Sequence, residues 1–147
     1  MHVEHSLDAP VEGSRIFDEV SDLSGYVRWM PLVHDVVALA PDSLGAAWDV
    51  ELRAAVGPLA RSKRLRMVRT TFDPTERVVF TRCEIDDREH APWVLTADVV
   101  TAAPGSRLTM TLDYGGRLWT GAVLQGVLDR AVRDGSAALL DLVVGGS

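Results

Sequence analysis

Arg82 is the side chain whose position most invites chemistry. Alternation along residues 77–85 sets it in an otherwise apolar inner row with Val50, Leu65, Leu95 and Leu112. A guanidinium there must be paired, because leaving it bare costs several kcal/mol or more. Its partner would be a ligand carboxylate or a polarised carbonyl. The opposite parity of the same strand, Val79, Thr81, Cys83 and Ile85, also suits an inner face, and one bulge exchanges the two sets. Tyr114 and Trp93 fall at the rim, where amphipathic rings serve either as an entrance or as core. Lys63 and Glu84 share that rim and read as a salt bridge. His5 takes inner parity, and His34 nears the opening if the 29–33 connection borders it. His2, His5, His34 and His90 have no metal-ligand spacing, and no serine or cysteine occupies a nucleophile motif. Neither a metal nor a cofactor is expected.

The chain that must position these groups has 147 residues, enough for one domain, 1–147, with a sizeable core. It is 47% hydrophobic and 24% charged, which excludes disorder, and no apolar run reaches the roughly 20 residues of a membrane span. Its start lacks the layout of a signal peptide, so a cytoplasmic location is expected. Cys83 is the single cysteine. Net charge is −6, against general nucleic-acid affinity. The basic run Arg61, Lys63, Arg64, Arg66 and Arg69 faces Asp49 and Glu51, which reads as a charge-paired outer surface. The expected partner is a small hydrophobic ligand. Nucleic acid and stable membrane insertion are not expected, and a homodimer is left open.

Val3, His5 and Leu7 alternate with polar residues as a first strand that stops at Asp8-Ala9-Pro10. Ile16, Phe17 and Val20 form one face of a short helix, and Ser21 to Gly25 suggests a break and a second brief helix or turn. Six strands follow, at 33–40, 46–55, 61–72, 77–85, 93–102 and 107–114, separated by Gly, Pro and Asp turns. Residues 118–144 form one amphipathic helix, with Val123, Leu124, Val127, Leu128, Ala131, Val132, Gly135, Ala138, Leu139 and Leu142 largely on one side. Ser136 falls on the other side, and Leu140 is a misfit. Gly135, central on the apolar face, implies close contact or cavity room.

Hairpin turns give three inner rows. They are Trp48, Met67, Phe80, Ala97, Met110; then Val50, Leu65, Arg82, Leu95, Leu112; then Leu52, Lys63, Glu84, Trp93, Tyr114. The ligand-binding candidates are Trp48, Val50, Leu65, Met67, Phe80, Arg82, Trp93, Leu95, Met110, Leu112 and Tyr114 from the strands, with Leu124, Val127, Leu128 and Ala131 from the helix. A ligand pocket spans about 300–1,000 Å³. Held empty and unrelaxed, about 300 Å³ would cost roughly 7 kcal/mol, which rivals a domain's whole stability of about 5–15 kcal/mol.

The chain resembles the START-like (SRPBCC) superfamily, which contains the polyketide cyclase/dehydrase and lipid-transport proteins. The likeness rests on Leu7-Asp8-Ala9-Pro10-Val11-Glu12, and on Ser21-Asp22-Leu23 leading to Tyr26 and Trp29-Met30-Pro31. It rests also on Phe72-Asp73-Pro74 with Arg77-Val78-Val79-Phe80, on Pro104-Gly105-Ser106-Arg107-Leu108-Thr109, and on the closing helix. The resemblance implies an α+β helix-grip fold: a seven-stranded antiparallel sheet wrapped around the C-terminal helix, with two short helices after the first strand and an elongated hydrophobic cavity. It implies carriage or sensing of a lipid, isoprenoid, quinone or polyketide. The alternative is a polyketide aromatase/cyclase or dehydratase, in which Arg82 or Arg69 would steady an enolate and Tyr114 or a histidine would move a proton. Arg69 lies on a strand that carries a cavity arginine in aromatase/cyclase members, although the motif around it departs from theirs.

Overall fold

The computed structural model describes residues 2–56, 58–115 and 122–145, without the side chains at 54–56, 59, 61, 122–125, 127 and 128. Strand β1 (His2–Ala9) ends at Pro10, and α1 (Gly13–Val20) follows. Ile16, Phe17 and Val20 are the buried face of α1, as their spacing predicts. A 3-10 helix, Leu23–Arg28, begins where the Asp22 carboxylate accepts from the Ser24 N–H at 2.8 Å. Strands β2 (Val33–Asp42), β3 (Gly45–Val56), β4 (Leu59–Asp73), β5 (Arg77–Arg82), β6 (Trp93–Ala102) and β7 (Gly105–Tyr114) lead to α2 (Ala122–Gly145). They form one seven-stranded antiparallel sheet in the order β1-β7-β6-β5-β4-β3-β2. This is the helix-grip arrangement: α2 packs on the inner face, with α1 and the 3-10 helix beside it.

Two turns depend on close backbone approach. A Cβ at Gly105 would lie 2.1 Å from the Ala9 carbonyl oxygen. One at Gly45, whose φ is +153°, would lie 2.3 Å from that of Arg69. No substituent fits at either position.

The register across β3–β4 matches the sequence expectation: Trp48 pairs with Met67, Val50 with Leu65 and Leu52 with Lys63. Across β6–β7, Leu95 pairs with Leu112 and Ala97 with Met110, again as expected. The two ladders of β5 are displaced. Arg82 faces Met67 rather than Leu65, and Phe80 faces Arg69 on one side and Leu95 on the other. An irregularity between Arg69 and Thr71 inserts an extra residue into β4. The displacement is two residues, so each side chain keeps its face. Arg82 therefore does share the inner parity of Met67 and Phe80.

Helix α2 is rotated from its expected orientation. Val132, Gly135, Ser136, Leu139 and Val143 are buried, so Ser136 belongs to the inner face and Leu140 packs partly against the core. The cause is a second contact besides the sheet: a Cβ at Gly135 would lie 3.0 Å from Met30 Sδ and 3.3 Å from Pro31 Cδ. Gly135 thus marks a close approach, one of the two roles anticipated for it. The expected turn at Gly57 and the helix start at 118–121 lie outside the described residues.

Candidate functional site

Between the sheet and α2 lies an apolar void of about 50 Å³. Its sheet wall is Val50, Leu52, Leu65, Met67, Leu95 and Leu112 with Trp93. The opposite wall comes from the 3-10 helix and the connection after it (Leu23, Tyr26, Met30, Leu32), with Val33 at the start of β2 and Val132 from α2. None of the described lining residues is charged, and the Tyr26 hydroxyl is turned away to donate to the Val20 carbonyl at 2.7 Å. Burial pushes the Tyr26 pKa well up, so the group stays neutral. Among the described residues, the room between sheet and helix is therefore much smaller than the chamber expected from the sequence. A void of this size costs about 1 kcal/mol, which a domain carries without a ligand.

Of the expected ligand-binding residues, Val50, Leu65, Met67, Trp93, Leu95 and Leu112 line the void. Trp48, Phe80 and Met110 are buried close by as core, and Ala131 is half-buried beside it. Trp48 packs edge-on against Phe80, and its indole N–H donates to Ser24 Oγ at 3.1 Å. The side chains of Leu124, Val127 and Leu128 lie outside the described residues. Sequence reasoning missed Leu23, Tyr26, Met30, Leu32 and Val33 as wall. Their signal was the aromatic-rich stretch at 26–31, but an irregular segment has no period from which to read sidedness. Leu52 and Val132 had inner parity and were left out of the site.

Arg82, Arg69 and Tyr114 do not line the void. The Arg82 side chain is 8% exposed, and its partners belong to the protein. Its Nε donates to Glu84 Oε1 at 3.0 Å, and further N–H groups reach the Ala91 carbonyl at 3.3 Å and His90 Nδ1 at 3.2 Å. With Nδ1 accepting, His90 Nε2 donates to Asp86 Oδ1 at 2.7 Å. Glu84 Oε1 also accepts the Arg66 backbone N–H at 3.0 Å, where a β5 carbonyl would otherwise continue the ladder. That substitution accounts for β5 ending at Arg82 instead of residue 85. The expected Lys63–Glu84 salt bridge does not form; Arg82 and the Arg66 N–H both meet Glu84 at Oε1.

Arg69 is held at the other end of the sheet. It donates to the Ser21 carbonyl at 2.7 Å, with its guanidinium 4.1 Å from the Phe72 ring centre and 5.7 Å from that of Trp48. Tyr114 stacks on Trp93 at 5.2 Å between ring centres, and burial raises its pKa. His34 is exposed and His5 half-buried. Arg64 bridges Asp49 and Asp35 on the outer face, in keeping with the paired outer surface. Among the described residues no helix is long and apolar enough to cross a membrane.

The family profile "Polyketide cyclase / dehydrase and lipid transport" matches residues 1–144, and the chain belongs to this family. Solved structures with the same fold include a Thermus thermophilus protein, at 19% identity and TM-score 0.78 over 100% of this chain and 99% of that one. A Mycobacterium smegmatis START superfamily protein is 14% identical, with TM-score 0.76 over 99% of each chain. The Streptomyces aromatase/cyclase Zhui is 16% identical, with TM-score 0.72 over 97% of this chain and 93% of that one. At these identities the likeness is one of fold. No curated protein matches the chain.

Proposed function

We propose that the protein carries or senses a small hydrophobic metabolite, such as a lipid, isoprenoid, quinone or polyketide, between the sheet and α2. The observation that carries this reading is the chemistry of the void: its walls come from the 3-10 helix, five strands and α2, and among the described residues they offer no charged group. The family's description, which includes lipid transport, supports it. At about 50 Å³ the void is smaller than such a guest. A guest enters by displacing wall side chains, and Met30 and Met67 are the unbranched ones best able to move. Carriage is favoured over aromatase/cyclase or dehydratase chemistry because the two arginines are engaged by the protein and Tyr114 lies off the void. Proton transfer needs a group within about 3 Å of the substrate.

The test is native mass spectrometry and thermal shift with a panel of neutral lipids, quinones and aromatic polyketides. At least one guest is expected to bind and to raise the melting temperature. Val50→Ile, which adds one methylene to the wall, should weaken that guest's binding. A panel without a single binder refutes the reading.

A further inference from the structure

We propose that Lys63 is the head-group contact for a guest bearing a single carboxylate, whose apolar part occupies the void between sheet and helix. The proposal rests on the apolar-guest reading above and names the class of guest. Lys63 stands on β4 directly opposite Leu52 and two residues from Leu65, and both of these leucines line the void. Lys63 itself is not part of the lining, and its four-carbon stem is long enough to extend along that wall toward the end of the apolar space.

The acids around Lys63 have other partners. Glu84 accepts from Arg82 and from the Arg66 N–H. Asp86 accepts from His90 and from the Arg88 N–H. Glu51 and Asp49 alternate onto the outer face of β3, where Asp49 binds Arg64. Among the described residues no carboxylate lies within ion-pair distance of the Lys63 ammonium. Lys63 is also half-buried, so water compensates its charge incompletely. Burial and the neighbouring Arg82 both lower its pKa, and Glu84 opposes them less strongly.

A carboxylate delivered by a guest would supply the missing counter-charge at the point where the apolar walls begin. The number of free donors selects the head group. Arg82 already has Glu84, Ala91 and His90 as partners within the protein, whereas Lys63 offers a guest one compact ammonium. That matches a singly charged carboxylate better than a phosphate, which recruits several donors or an arginine fork.

Decanoate and decanol share a chain and differ in the head group. Their affinities for the full chain can be followed through fluorescence of Trp93, which lines the void. The wild type is expected to bind decanoate about tenfold more tightly than decanol, as a charge-assisted contact predicts. Lys63→Met should bring the ratio of the two affinities close to one, and Lys63→Arg should keep the preference for the acid. Equal affinities in the wild type, or a preference that survives Lys63→Met, overturn the head-group assignment while the apolar site stands. If neither molecule binds, both readings fall. Should Lys63→Met not fold, the wild-type ratio and Lys63→Gln decide the matter.

Discussion

Arg69 and Arg82 stand on neighbouring strands with the same inward parity, and the protein completes them in different ways. Arg69 is enclosed by neutral groups: two aromatic faces and the carbonyl at the end of α1. It ties the helical segments to the sheet. Arg82 is completed by a carboxylate, a histidine and a carbonyl, in a cluster that includes Asp86. At the first end the cation replaces a hydrophobic plug. At the second, charge is balanced pair by pair, and among the described residues no carboxylate lies within ion-pair distance of Lys63. Inward parity alone thus does not make an arginine catalytic; what matters is how many of its donors the fold has already used.

Removing each cation should break this comparison most visibly. Arg82→Met leaves Glu84, 18% exposed, without its cation. The expected loss is about 2–3 kcal/mol, below the roughly 3–5 kcal/mol of a fully buried pair. Urea denaturation measures it, and Arg82→Met with Glu84→Gln should recover most of the loss, because the stranded charge is then gone.

Arg69→Met strands no carboxylate. It gives up a cation–π contact and one hydrogen bond, worth about 1–2 kcal/mol together. A loss larger than that of Arg82→Met would reverse the account of the two ends.

The smallest effect concerns acid. The His90 hydrogen bond and the Arg88 N–H hold the Asp86 carboxyl below its ordinary value. A lowered folded-state pKa adds stability that is fully present above the unfolded value, about 3.9, and disappears as pH falls through the folded one. Asp86→Asn should therefore flatten the melting temperature's dependence on pH below about 4. An unchanged acid limb would show that Asp86 is not linked to folding.

Much of the architecture was legible because it follows from periodicity. Alternation in β3 and β4 with a turn between them determined Trp48–Met67 and Val50–Leu65. The spacing of Ile16, Phe17 and Val20 determined the buried face of α1. The β4–β5 ladder was not legible because the turn spans residues 74–76 between paired Asp73 and Arg77, and an extra residue in β4 near Thr70 shifts the register again, neither of which leaves a compositional trace. The rotation of α2 escaped notice because Met30 and Pro31 press on Gly135 from a segment without a repeat.

By itself, the order of residues determined that strands and a closing helix must share one apolar interior, since two-residue and 3.6-residue periods are local properties of the chain. Tertiary structure alone decided how much room that interior keeps and which charges meet. Volume left between side chains, and donors left over after pairing, depend on contacts between segments far apart in sequence. Glu84 shows this: only the fold brings the Arg66 N–H to the carboxylate that also holds Arg82.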